Sequence, residues 1–202
     1  MTKKITKALA LTVCAVLLVC GSVLGTMAYL TSTATVQNTF TVGNVSITLD
    51  ELKTDVYGVA TSGEQRVQKN AYKLVPGHTY AKDTTVHIAA GSEACYLFVK
   101  FDGILANAVT TLTFAESGIW NELAVSGSAV VYYTTVSATT NAQDIQVLTS
   151  FTIDQTATNT SLSGFATSDN QTVDIVAYAV QKAGFVSIND AWAAASAAAS
   201  AQ

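Results

Sequence analysis

Residues 95–101 read Cys95-Tyr96-Leu97-Phe98-Val99-Lys100-Phe101, an apolar and aromatic run broken by a single lysine. The run is too short for a buried helix and rich in strand formers, so it reads as a central β-strand with Tyr96, Phe98 and Lys100 on one side. The same reading extends in both directions. Thr39–Val42 leads through Gly43-Asn44 into Val45–Leu49, where Val45, Ile47 and Leu49 share a face. Asp83–Ile88 alternates with the same period of two, and Ala129–Thr134, Ser150–Ile153 and Thr172–Val180 add three more apolar or Thr/Val-rich runs. Seven or more short strands with turn signals between them predict an all-β sandwich or barrel. No long helical pattern alternates with them, which argues against a parallel α/β sheet.

The connections support this. Thr54–Asn70 is polar and holds Gly58 and Gly63, as a loop or ragged hairpin would. The only proline, Pro76, stands before Gly77, the order favoured in the middle of a type II turn. Thr139–Asp144 and Asp154–Gly164 are further polar stretches. At the C-terminus the character changes. Ser187 is placed to cap a helix, with Asp190 three residues on as its reciprocal partner. The alanine-rich run from Ala191 to Ala199 has high helix propensity, and Trp192 is the large side chain available to dock it.

The first residues carry Lys3, Lys4 and Lys7, and Ala8–Leu24 is almost wholly apolar. Thr26, Met27 and Ala28 follow, with Tyr29 next. A positive start, an apolar stretch and a small residue at the cut form the secretory pattern, with cleavage expected after Ala28. An uncleaved anchor is the alternative, since an apolar run of about 17 residues is at the lower edge of what spans a bilayer. Without Lys3, Lys4 and Lys7 the ten basic residues become seven against fourteen acids, a formal charge of −7 on 174 residues. Such an acidic exported chain is a poor partner for nucleic acid, and meets the membrane only through its leader. Loss of Cys14 and Cys20 leaves Cys95 alone, so no disulfide forms within the secreted chain.

Catalytic signatures are missing. His78 follows the Pro-Gly turn and His87 alternates out of phase with Val86 and Ile88, so they read as a turn residue and a solvent-facing strand residue. Cys95 has no base beside it in sequence and reads as a buried thiol. Asp50-Glu51, the one adjacent acidic pair, reads as a turn or solvated face in preference to a weak calcium ligand set. No catalytic residue, cofactor or metal is expected, and the chain is read as non-enzymatic.

Gly25-Thr26-Met27-Ala28-Tyr29-Leu30-Thr31, followed by Asn38-Thr39-Phe40-Thr41-Val42-Gly43-Asn44-Val45, resembles the start of the SipW-dependent exported proteins, the family of TasA and camelysin. Leu74-Val75-Pro76-Gly77-His78 resembles that family's Leu-x-Pro-Gly-Asp turn, with His78 in place of the acid. Tyr178–Phe185 with Ala191-Trp192 is similar to a closing motif of its shorter members. The resemblance implies a leader cut by a dedicated signal peptidase, a jelly-roll-like antiparallel β-sandwich, and export to the surface or matrix of a Gram-positive cell. It also implies assembly in which the segment after the cut completes the next subunit's sheet. Residues Tyr29, Leu30, Thr31, Thr33, Thr35 and Val36 are the expected assembly strand, being uncharged and free of Pro and Gly. The alternatives are a strand pairing within its own chain or a frayed terminus. The metallopeptidase assignment of camelysin is not carried over, because no zinc-binding pattern accompanies it.

The expected organisation is therefore a signal peptide at 1–28, an extension or donor strand at 29–38, a β-sandwich at 39–186, and a helix and tail at 187–202. The expected function is a secreted, self-associating structural or biofilm-matrix protein. The rival reading is a surface binding module for a glycan or host protein, with Trp120, Tyr132 and Tyr133 as the aromatics to test, and a camelysin-type metallopeptidase ranks third.

Overall fold

Cys95–Phe101 forms a strand buried along one side and at Phe98 on the other, and the rest of the domain is arranged around it. The computed structural model describes residues 32–34, 39–42, 44–61, 63, 65–163, 171–172 and 174–199. The chain divides into two compact units, Met1–Thr33 and Ala34–Gln202. Strand β1 (Ser32–Ala34) falls across that division, and the fold of the second unit is as follows.

Its strands are β2 (Thr39–Val42), β3 (Ile47–Leu52), β4 (Arg66–Val67), β5 (Ala71–Tyr72), β6 (Thr79–Ile88), β7 (Cys95–Phe101), β8 (Thr110–Phe114), β9 (Asn121–Leu123), β10 (Val130–Val136), β11 (Gln143–Ile153), β12 (Gln171–Thr172) and β13 (Ile175–Gln181). One sheet contains the run β2-β13-β7-β10-β9, in which β2 is not the outermost strand of the sheet, and the facing sheet runs β4-β3-β6-β11-β8, with β12-β5 as a small separate pair. From β6 to β8 the chain changes sheet at each connection, and it does so again at β10 to β11. This is the jelly-roll manner of closing a sandwich. Every mapped strand pair but one is antiparallel; β2 lies parallel to β13, with Thr39 opposite Ala177 and Val42 opposite Val180.

The period of two decides the layers. Leu97, Val99 and Phe101 of β7 face inward, with Ile175, Ala177 and Ala179 of β13 beside them and Val86, Ile88, Val147, Phe151 and Ile153 across from them. The even positions face out. Phe98 and Tyr178 there meet Trp192 at ring separations of 5.4 and 5.3 Å. Trp192 belongs to helix α2 (Ile188–Ala199), which follows the shorter α1 (Asn159–Ser163). The cap is the expected one: Asp190 N–H donates to Ser187 Oγ at 3.1 Å, and the Ser187 hydroxyl donates to Asp190 Oδ2 at 2.7 Å. Such a cap is worth about 1 kcal/mol, so the docked aromatic face holds the helix more than the cap does.

Several boundaries move. β6 begins at Thr79, not Asp83, and β11 begins at Gln143, inside a stretch expected to be loop. Both extensions mix polar residues with buried apolar ones (Tyr80, Val147 and Leu148), and cross-strand pairing to β3, β6 and β8 holds the polar positions in the ladder. Asp154–Gly164, also expected as loop, contains α1. The Pro76-Gly77 turn is as expected, with Gly77 at φ 75° and His78 N–H donating to Val75 O at 3.1 Å.

The Thr54–Asn70 loop is closed by Asp55, whose Oδ1 accepts the N–H groups of Tyr57 and Val59, both at 2.9 Å. Gly58 between them has φ 76°, and a Cβ there would lie 2.7 Å from the Cα of Tyr80. Gly91 has a similar φ of 78° with open space around it. Gly58→Ala is therefore expected to cost more than the roughly 1–3 kcal/mol of left-handed strain alone, and Gly91→Ala no more than that strain. Equal urea midpoints for the two variants would contradict this.

Candidate functional site

Alternation carries a charge into the core. On β6 the inward positions are Tyr80, Lys82, Thr84, Val86 and Ile88; on β3 they are Ile47, Leu49 and Glu51. Lys82 is 1% exposed and Glu51 4%. Lys82 Nζ contacts Glu51 Oε2 directly, and sits 5.2 Å from the centre of the Tyr72 ring. The other carboxylate oxygen, Oε1, accepts the backbone N–H of Asn70 at 2.7 Å. Asn70 is held in turn, its Oδ1 accepting from Thr54 N–H at 2.9 Å and its Nδ2 donating to Leu52 O at 2.8 Å. Burial lowers the Lys82 pKa, and the Glu51 carboxylate only partly opposes this. Burial also raises the Tyr72 phenol, with the Glu51 charge adding to it.

A second cluster lies on the outer face of the same strands. His87 of β6 stands opposite Asp144 of β11, and Asp50 of β3 lies diagonally across. The His87 Nδ1 is 2.7 Å from Asp144 Oδ1, and its Nε2 is 2.9 Å from Asp50 Oδ1. Arg66 of β4 reaches the same Asp50 oxygen at 2.5 Å and Asp83 at 3.6 Å. A neutral imidazole has one N–H, so only the imidazolium donates to both carboxylates. Partial burial alone would lower the His87 pKa; the hydrogen bonds to Asp50 and Asp144 outweigh it and raise the value.

A third feature is the loop end where Tyr57, Val59 and Val75 are exposed at 43, 61 and 37%. His78 joins the two loops, its Nε2 lying 2.9 Å from Tyr57 O, and its ring packs edge-on against Tyr80 at 4.5 Å.

These placements revise several expectations. Asp50 and Glu51 point to opposite faces, so the acidic pair is neither a turn nor a shared ligand set; Glu51 is an interior residue. Trp120 is buried against Phe114, and Tyr132 packs on Phe101 and Phe114 in the core. Tyr133 lies on the opposite face beside Phe98. All three are packing residues, and Tyr57 is the aromatic left at the surface of a loop end. His87 faces outward as expected, but is bonded on both nitrogens. His78 and His87 flank opposite ends of β6, about 30 Å apart at the rise of an extended strand. Among the described residues no group of three or more His, Cys, Asp or Glu is arranged to hold a metal ion. Burial pushes the Cys95 thiol up to about 11, which makes it a poor nucleophile near neutral pH.

Of the expected assembly strand, Thr33 lies in β1, while Tyr29, Leu30, Thr31, Thr35 and Val36 lie outside the described residues, as do Thr26, Met27 and Ala28 of the expected cut. Comparison of the chain with protein-family models, with curated proteins and with solved structures found no match.

The His87 bridge sets a pH dependence. A raised folded-state pKa means that its stabilisation is complete below the unfolded value of about 6.5 and is lost as pH rises through the folded value. His87→Ala is therefore expected to lower the urea midpoint most between about pH 5 and 6, with the gap to wild type closing at alkaline pH. A gap that widens with pH would refute the bridge.

Proposed function

We propose that this protein is a secreted, non-catalytic structural component of a cell surface or extracellular matrix, built to self-associate by strand addition. The observation carrying this reading is strand β2, which pairs in parallel with β13 while the other described pairs of this unit are antiparallel. Only residues 43–46 link it to β3 in the other sheet. Removing it would bare β13 from Ala177 to Val180, in a strand whose core positions are almost all apolar.

The stretch of β13 so bared accepts the equivalent segment from a second copy. Residues 29–38 ahead of β2 give about 33 Å of extended chain at strand rise, enough to bridge neighbouring domains. A contact of this kind is head-to-tail and does not close on itself, so it generates filaments. Cleavage after Ala28 would then free the segment from the membrane, coupling export to assembly.

Deleting residues 29–42 from the secreted protein is expected to abolish filaments in negative-stain microscopy, while a synthetic 29–42 peptide binds the truncated domain. Filaments formed by the truncated protein would overturn the proposal.

The exposed loop end supports a second reading, a binding module for a glycan or protein surface. Tyr57 offers an aromatic face beside Val59 and Val75. That reading expects a signal on a glycan array that falls at least tenfold in Tyr57→Ala, a loss of about 1.4 kcal/mol. No signal for the wild type would remove the glycan form of it.

A further inference from the structure

The least ordinary chemistry in the domain is the ammonium of Lys82 and the carboxylate of Glu51, together inside an apolar sandwich. We propose that these two side chains condense in the folded protein to an amide between Lys82 Nζ and Glu51 Cδ, stapling β6 to β3 across the core.

The geometry supplies each part. Nζ contacts Oε2, the oxygen that must leave. Oε1, the oxygen that takes the developing negative charge, accepts the Asn70 N–H at 2.7 Å. That donor is preorganised, because the Asn70 side chain is bonded at both ends to the backbone of residues 52 and 54. Fixed backbone donors aimed at a developing oxyanion are an effective form of catalysis. The Asn70 carboxamide is turned to the backbone at both its oxygen and its nitrogen, whereas the Glu51 carboxyl is the acyl group in contact with the amine.

The step balances without an outside reagent. A proton passes from Nζ to Oε2 within the pair, giving amine and carboxylic acid, a transfer that a low-dielectric interior favours. Nζ attacks Cδ, forming the C–N bond. Oε2 takes a second proton from Nζ and departs as water, breaking Cδ–Oε2. Two groups held in contact by a folded core have effective molarities of roughly 10⁵–10⁸ M in favourable cases. The same burial excludes the water needed for the reverse reaction. The product also removes an ion pair whose desolvation its mutual attraction repays only partly.

Cys95 is the one cysteine after residue 28, so a lysine–glutamate amide would be a covalent staple of the domain. It would serve the domain whether or not filaments form.

The test is high-resolution mass spectrometry on the folded wild-type chain. The expected mass is that of the sequence less one water, and a tryptic digest should yield one branched peptide joining residues 51 and 82. Lys82→Met and Glu51→Ala should each restore the full mass. Separate, unmodified peptides carrying Lys82 and Glu51 from folded wild-type protein would overturn the proposal. Loss of ammonia with a branch at Asn70 would overturn it too, since the acceptor would then be the carboxamide.

Discussion

Strand β7 is buried along its inner face and at Phe98 on its outer one, and most of the architecture answers that constraint. Its inward side chains, Leu97, Val99 and Phe101, need a second sheet opposite them. Its outward Phe98 is fully buried as well, so the sheet needs a cover on that side. Burying a side chain of that size is worth about 1.5–3 kcal/mol. Helix α2 supplies the cover through Trp192, Ala191 and Ala195, with Tyr178 of β13 in the same cluster. Small residues on the helix let it lie close, while one tryptophan fills the space between the rings. A helix of this length is marginal by itself, so it belongs to the fold through β7 and β13.

The facing sheet obeys a different constraint. Its strands β3 and β6 carry Glu51 and Lys82 inward, where neither charge is tolerable alone. Each is made tolerable by the other and by the loop that closes over them, through Asn70, Thr54 and the Tyr72 ring. The loop 54–70 is thus held by the interior it covers. The outer face of the same strands carries the opposite kind of network, exposed and titratable, with His87 between Asp50 and Asp144 and Arg66 shared between Asp50 and Asp83. Adjacent positions on one strand, 50 and 51, therefore serve different ends: one tunes a surface to pH, the other anchors the core.

Strand β2 links the fold to the proposed function. Most described strand pairs in the domain are antiparallel, whereas β2 is added to β13 in parallel by a segment far from it in sequence. In the assembly proposed above, it is the element exchanged between chains.

Much of this was legible in the residues. The alternation at 95–101 predicts β7 to the residue, Pro76-Gly77 predicts its turn, and Ser187 with Asp190 predicts the cap; each depends on local geometry that a few side chains dictate. Extending the alternation of Val45, Ile47 and Leu49 by one step reaches Glu51, and extending Thr84, Val86 and Ile88 backward reaches Lys82, so the pattern already pointed both charges inward. Polarity masked it, since an isolated acid or lysine is ordinarily a surface residue. Which charges meet, which aromatic is buried and which stays in solvent were decided only by the tertiary structure. Period alone assigns a residue to a face of its own strand; the register between strands brings Lys82 to Glu51 and His87 to Asp50 and Asp144, and register is a property of the packed sheets.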